Sequence, residues 1–251
     1  MKQDNSILGV KVDVTSYEKS VNQITKWAKQ HRSCYVIAAN VHVVMTAYFN
    51  RAYKEVVDNS SLVTPDGMPL VKGLQFLGYS EAQRVYGPDL MLYCCRKAAA
   101  ENLSIFLYGS TETVLSALQN KLFRLYPNLK IAGAYSPPFR QLSIEEEKSH
   151  IDLIHKSQAD IVFVSLGCPR QEEWMYRQYG SLNAVMIGVG AAFLFHSGDV
   201  KQAPRWMMKL GLEWFFRLLS EPRRLWKRYF FNNPAFLFLF FIQLLKHIFS
   251  S

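Results

Sequence analysis

From Leu103 onward, apolar runs of six or seven residues alternate with stretches in which apolar positions recur every three or four residues. Read by period, this predicts strands over 103–108, 129–134, 160–166 and 184–189, separated by helices over 112–126, 144–157 and 169–179. Earlier in the chain, 7–14 alternates as a short strand around Gly9. Ser16 then caps an amphipathic helix on which Val21, Ile24, Trp27 and Ala28 share a face. A buried strand over 34–39 ends at Asn40, a helix runs from about 41 to 57, and a short strand over 61–64 is stopped by Pro65-Asp66-Gly67. Residues 135–141, with Pro137-Pro138, read as a loop.

Apolar strands separated by helices bury both faces of a parallel sheet, so the expected fold class is α/β: a Rossmann-like parallel sheet with helices on both faces. Residues 1–200 form the α/β domain of this reading. Residues 201–251 form a C-terminal helical appendage rich in basic and aromatic residues. Ligands of such sheets bind beyond the carboxyl ends of the strands. Here those ends carry Gly109-Ser110, Gly167-Cys168-Pro169 and Gly188-Val189-Gly190, small enough for a phosphate or ribose to approach the backbone. The glycines do not form GxGxxG, because Phe193 stands at the third position, so a dinucleotide enzyme is not supported.

Charge narrows the partners. Of the net +9, +7 lies beyond residue 200, where nine lysines and arginines face only Glu213 and Glu221. A body close to neutral with one cationic tail suits a localised anionic partner, a phosphate or an anionic membrane surface, and speaks against nucleic acid. Cys34, Cys94, Cys95 and Cys168 show no metal-ligand spacing and read as reduced residues of a cytosolic protein. The start, MKQDNSILGVKVD, lacks the apolar stretch of a signal peptide.

Several residues have the chemistry of a transfer site. Asp66, held between two prolines, has the geometry of a positioned base, although an Asp in such a turn also serves as a helix cap. Asn40 projects toward the same rim. His42 belongs to the first turn of the next helix. Arg84 and Asp89 flank a turn in a segment, 83–89, of little helical character; the guanidinium matches phosphate oxygens, and a surface arginine with an aspartate cap is the structural alternative. Gln171 lies in the first turn after Pro169. In the tail, Trp206, Leu210, Trp214, Leu218 and Leu219 have helical spacing among bases, as on a helix that meets lipid, and Arg217 and Arg224 share a face unless Pro222 interrupts them. The apolar run 235–245 is short for a membrane span and is broken by polar residues nearby, which favours an interfacial helix or re-entrant anchor, with a packed core or partner helix, and then a true span, as the alternatives.

Taken in order, Ala39-Asn40-Val41-His42, Val63-Thr64-Pro65-Asp66-Gly67, Arg84-Val85-Tyr86-Gly87-Pro88-Asp89, Leu107-Tyr108-Gly109-Ser110, Gly167-Cys168-Pro169-Arg170-Gln171-Glu172, Gly188-Val189-Gly190 and the segment from Ala203 to Leu218 resemble the WecG/TagA/CpsF glycosyltransferases. The resemblance implies a family-specific (GT-E-like) α/β fold and an inverting, metal-independent transfer without cofactor. The transfer runs from a UDP-sugar donor, of N-acetylmannosamine type or a related hexose, to a polyprenyl-diphosphate-linked acceptor. It implies Asp66 as general base; Asn40, Arg84, Asp89, Gly109, Ser110, Gly167, Gln171 and Gly190 at the substrates; and Arg217, Arg224 and Arg228 on the diphosphate. It also implies a peripheral enzyme on the cytoplasmic face of the bacterial membrane, with an oligomer compatible. Some relatives carry threonine at Ala38, aspartate at Leu194 and arginine at Lys227. The rival reading of the same residues is a non-catalytic nucleotide-sugar or lipid-phosphate binding protein.

Overall fold

The computed structural model describes residues 5–140 and 142–250; residues 1–4, at the polar start of the chain, Gln141, at the end of the expected 135–141 loop, and Ser251 lie outside the described residues. A hairpin of β1 (Ser6–Ile7) and β2 (Val10–Lys11) leads into α1 (Tyr17–Lys29), followed by β3 (Cys34–Ala39), α2 (Val41–Phe49), α3 (Arg51–Asp58) and β4 (Leu62–Pro65). Next come α4 (Met68–Phe76), α5 (Gly87–Ala100), β5 (Ser104–Gly109), α6 (Glu112–Leu125), β6 (Lys130–Tyr135) and α7 (Ile144–Ser157). β7 (Ile161–Ser165), α8 (Arg170–Gln178), β8 (Val185–Gly188) and α9 (Ala192–Ser197) complete the body. The tail is α10 (Arg205–Lys209), α11 (Glu213–Ser220) and α12 (Pro222–Ser250).

β3 to β8 form a six-stranded sheet in the order β4-β3-β8-β7-β5-β6, with every pairing parallel. The strand period of two divides the core. Tyr35, Ile37, Phe106, Tyr108, Val162, Val164 and Met186 face one apolar cluster, while Cys34, Val36, Ile105, Leu107, Ile161, Phe163, Val185 and Ile187 face the other. Helices α2, α3, α4 and α8 cover the first face, and α1, α5, α6 and α9 the second, so both faces are dry, as the unbroken apolar runs require.

Local chemistry corrects some expected boundaries. The run 7–14 is a hairpin rather than one strand, because Leu8 and Gly9 both adopt positive φ (54° and 70°) and reverse the chain. The expected helix 41–57 is two, because Asn50 turns extended (φ −128°, ψ 105°) and its side chain accepts from the backbone N–H of Tyr53, restarting the helix. Non-helical character holds for 83–86 but ends at Gly87, where Pro88 pre-sets the first turn of α5 and places Asp89 within it. In the tail, the single apolar helical face does not form. Gly211 (φ 73°) separates α10 from α11, and Glu221 separates α11 from α12, with Pro222 as the first residue of α12.

The tail is fastened to the body. Phe236 and Phe240 of α12 enter the first core cluster, and a Cβ on Gly73 would lie 3.2 Å from the Phe240 ring. The Gln243 amide completes the hydrogen bonding of the hairpin, its Oε1 accepting from Leu8 N at 2.8 Å and its Nε2 donating to Ser6 O at 3.0 Å. No helix among the described residues is long and apolar enough to cross a membrane.

At the end of β5, Gly109 has φ 121°, and a Cβ there would fall 2.4 Å from the carbonyl oxygen of Ser165 on β7. Contact and dihedral both forbid a side chain. Gly109→Ala should therefore destabilise the protein by more than about 2 kcal/mol in chemical denaturation, beyond the ordinary effect of a surface Gly→Ala change.

Candidate active site

A cleft of about 280 Å³ opens beyond the carboxyl ends of the central strands, bordered by Asn40, Asp66, Ser110, Gly167, Gln171, Gly190, Arg217, Arg224 and Arg228. Nine of the twelve residues expected at the site thus converge, from segments as far apart as β3 and α12. Ala38 and Leu194, two of the positions at which some relatives differ, border it as well. The N-terminal ends of α5, α6 and α9 also border it, through Gly87, Thr111 and Ala191; the N–H of Gly87 is taken by Asp66, and the other two ends are where helix N–H groups lack intrahelical partners.

Asp66 is set by its own turn. Its backbone N–H donates to Ala39 O at 2.7 Å, and the N–H of Gly67 donates to the same oxygen, folding the turn against the end of β3. Its Oδ1 accepts from Gly87 N at 2.7 Å. Oδ2 carries no hydrogen bond among the described residues and is free for a substrate proton. Removal from water pushes the carboxyl up to about 6; the Arg84 charge and the Gly87 N–H oppose that rise, and Glu213 adds to it. A carboxylate so raised is still largely ionised at neutral pH and is a stronger base than an exposed aspartate.

Arg84 is placed beside Asp66, but its guanidinium already has partners. Nε donates to the Asp66 carbonyl oxygen at 2.6 Å, the NH2 group donates to Glu213 Oε2 at 2.6 Å, and the group lies over the Tyr86 ring. It therefore holds the carboxylate turn to α11. Asp89 does not reach the cleft. It pairs in bidentate fashion with Arg205 of α10 (2.7 and 3.1 Å) and accepts from the Tyr17 hydroxyl, fixing the start of the tail to α5. Gly109 is likewise absent from the lining and serves the close approach of β5 to its parallel neighbour β7.

The three tail arginines differ. Arg224 is exposed and paired with Glu221 at 2.6 Å. Arg217 and Arg228 have no carboxylate within ion-pair distance among the described residues, and each keeps a buried Nε without a hydrogen bond. Arg228 donates to Asn40 Oδ1 at 3.3 Å, while the same oxygen caps α2 by accepting from His42 N and Val43 N. Burial, with neighbouring arginines adding to it, lowers the Arg228 pKa, so an anion beside it would relieve an existing cost. Break by break, the tail is not the helix its spacing suggests, yet the bend at Glu221 brings Arg217 of α11 and Arg224 and Arg228 of α12 to one cleft. Lys227 does not border it and lies over Trp226.

His42 is a first-turn residue of α2, as expected. Its Nδ1 accepts from Asn232 Nδ2 at 3.0 Å, and burial lowers its pKa to about 4, with Arg228 adding to the effect, so it is neutral. No group of three or more His, Cys, Asp or Glu suited to a metal ion occurs among the described residues.

The chain matches the glycosyl transferase WecG/TagA/CpsF family over residues 5–249. It belongs to that family. An N-acetylglucosaminyldiphosphoundecaprenol N-acetyl-beta-D-mannosaminyltransferase of Bacillus subtilis (strain 168) is 35% identical over 195 residues, 77% of this chain and 73% of the relative. Enzymes of the same name from Bacillus spizizenii (strain ATCC 23059 / NRRL B-14472 / W23) and Staphylococcus aureus (strain MW2) are 31% and 32% identical. These cover 90% and 88% of this chain, and 86% and 85% of the relatives. This WecG/TagA/CpsF protein is therefore a glycosyltransferase, and the cleft around Asp66 is its candidate active site.

Sequence reasoning does not single out two residues of this site. Glu213 partners Arg84, and a signal existed for it: it is one of only two acidic residues in an otherwise basic tail. Glu172 reads as an ordinary acidic residue in a first helical turn.

The pH dependence follows from Asp66. With Asp66 as the expected base, protonation below about pH 6 removes its basicity, so kcat/KM should fall along an acidic limb with its midpoint near 6. Glu213→Gln removes a negative neighbour and should move that midpoint lower; a pH–rate profile of both proteins measures the shift.

Proposed function

We propose that this WecG/TagA/CpsF protein is an inverting, metal-independent enzyme. It moves a sugar of N-acetylmannosamine type, or a related hexose, from UDP to a polyprenyl-diphosphate-linked saccharide in cell-surface polymer synthesis. The carrying observation is that Asp66 shares one cleft with two partly buried guanidinium groups, Arg217 and Arg228, and that among the described residues its Oδ2 carries no hydrogen bond and they have no anionic partner. The relatives named above, at 31–35% identity, support the donor and acceptor classes.

The chemistry is a single displacement. The acceptor hydroxyl gives its proton to Asp66 Oδ2 as its oxygen bonds to the anomeric carbon, and the bond from that carbon to the β-phosphate oxygen breaks, its electron pair leaving with UDP. Charge gathering on the diphosphate is met by Arg217 and Arg228 and by the N–H groups of the converging helices, all fixed in place beforehand.

Donor and acceptor have separate approaches. On the other side of Asp66 a second pocket of about 100 Å³, bordered by His42, Met68, Arg84 and Tyr229, shares Asn40, Arg217 and Arg228 with the donor cleft. It continues through Val41, Pro69, Trp214, Tyr229 and Asn233 into an apolar groove of about 560 Å³ whose other walls include Leu218, Trp226 and Phe236. A space of this size accepts the part of a long lipid nearest its head group. Exposed Trp206, Phe230, Phe231, Leu237, Phe238 and Phe241, with Arg223 and Lys227 nearby, give residues 201–251 the character of an appendage that rests on an anionic membrane surface. This is the basis for a peripheral enzyme at the cytoplasmic face.

The test is transfer of labelled sugar from UDP-N-acetylmannosamine to a short-chain polyprenyl-diphosphate N-acetylglucosamine by purified full chain in EDTA. Transfer is expected, and its absence from this donor and from a panel of other UDP-sugars would overturn the reading. Asp66→Asn should lower turnover at least about a hundredfold while UDP affinity changes by no more than a few-fold. Arg228→Ala should weaken UDP binding by about tenfold or more, the scale of a charge-assisted hydrogen bond, measured by calorimetry.

A further inference from the structure

The Gln171 side chain is buried across the ends of two strands. Its Oε1 accepts from Gly167 N at 3.3 Å and from Gly190 N at 3.2 Å, so one oxygen joins the turn after β7 to the turn after β8. Its Nε2 donates to Glu172 Oε1 at 2.7 Å. With two N–H donors on one side and a carboxyl on the other, only one orientation of the amide satisfies all three contacts. Gly188, at the end of β8, leaves the space for it, since a Cβ there would stand 3.0 Å from Gln171 Nε2 and 2.8 Å from Met175 Cε.

Glu172 is 0% exposed, and among the described residues its Oε2 has no hydrogen bond of ordinary geometry, the Tyr53 hydroxyl and the Cys168 thiol being polar neighbours of the carboxyl. Burial pushes its carboxyl up to about 7, offset in part by Gln171, the Tyr53 hydroxyl and the Cys168 thiol. An oxygen buried without a hydrogen bond costs about 1–3 kcal/mol, a cost that an apolar side chain in this space would not carry for itself. Packing therefore does not account for the carboxyl, whereas the fixed Gln171 amide does.

The structure assigns Glu172 as a positioning residue for the donor: it holds the Gln171 amide in one orientation and, through it, sets the spacing of the Gly167 and Gly190 turns that border the cleft. It touches no substrate itself. The assignment rests on the UDP-sugar reading above.

The experiment compares wild type, Glu172→Gln, Glu172→Leu, Gln171→Leu and the Gln171→Leu/Glu172→Leu double variant as full chains. UDP affinity is measured by calorimetry, KM is measured for donor and acceptor separately, and hydrogen exchange is followed at Gly167 and Gly190. Glu172→Gln keeps a carbonyl acceptor and should stay within about threefold of wild type. Glu172→Leu should weaken UDP binding and raise the donor KM about tenfold, the order of one lost hydrogen bond to a buried polar group. Its acceptor KM should remain within about twofold, and exchange at both glycines should accelerate. The double variant should be no weaker than Gln171→Leu alone, because the two residues act as one unit. UDP binding by Glu172→Leu equal to wild type, equal impairment of Glu172→Gln, or additive effects in the double variant would each overturn the assignment. If Glu172→Leu does not fold, Glu172→Met takes its place, and failure of both overturns it in favour of a core role. Wild type that binds no UDP sinks the donor reading instead, and the exchange rates then still decide the Glu172–Gln171 link.

Discussion

The guanidinium of Arg84 joins the two halves of the site. One arm donates to the backbone carbonyl of Asp66, in the turn that carries the carboxylate, and another to Glu213 on α11, in the tail that carries the cations. The side chains of Arg84 and Glu213 are only 18% and 13% exposed, so this is an ion pair largely withdrawn from water, where separating the partners leaves charge uncompensated. The same pair tunes Asp66 from both directions, Arg84 lowering and Glu213 raising its pKa. Position and basicity of the carboxylate therefore depend on whether the tail is seated.

How far the sequence discloses this arrangement depends on the range of the interactions. The parallel sheet is legible because each strand is a continuous apolar run and each helix has its own period, and both signals are local. The breaks are less so. Asn50 ends one helix and caps the next through a side-chain contact that periodicity does not register, and Leu8 reverses the chain in a conformation its residue type disfavours. At the site, Asn40, Asp66, Ser110, Gly167, Gln171 and Gly190 stand at strand or helix ends, which is where a parallel sheet must present them, whereas the three arginines come from the helices of the tail. Arg84 and Asp89 show the limit. Both have the composition of ligand-binding residues, but Glu213 and Arg205, 129 and 116 positions away, have claimed their hydrogen bonds. A pairing at that distance leaves no mark in local pattern.

The tail illustrates how one helix meets opposite demands. The polar residues that interrupt its apolar run are the ones that dock it: Asn232 donates to His42, and Gln243 completes the N-terminal hairpin. Phe236 and Phe240 occupy the core, whereas Phe238 and Phe241 are exposed. Neighbouring aromatics thus alternate between the body and the outside, which is why composition alone assigns the whole run to lipid while the fold divides it between two faces.

The electrostatics of the cleft argue for a site built around an anion. Among the described residues, Arg228 bears the cost of burial with the Asn40 amide oxygen as its hydrogen-bond acceptor and no carboxylate partner, and both it and Arg217 leave a buried N–H unpaired. Asp66 borders the same cleft and, among the described residues, forms an ion pair with neither. A bound diphosphate would satisfy these donors without reorganising them, and placing its negative charge near Asp66 would raise the carboxylate's basicity further. Binding the leaving group and strengthening the base are then coupled through one low-dielectric space. A solvated cationic surface would screen the two from each other, so on the proposed mechanism the partial burial of the arginines would let the donor prepare the base for the acceptor.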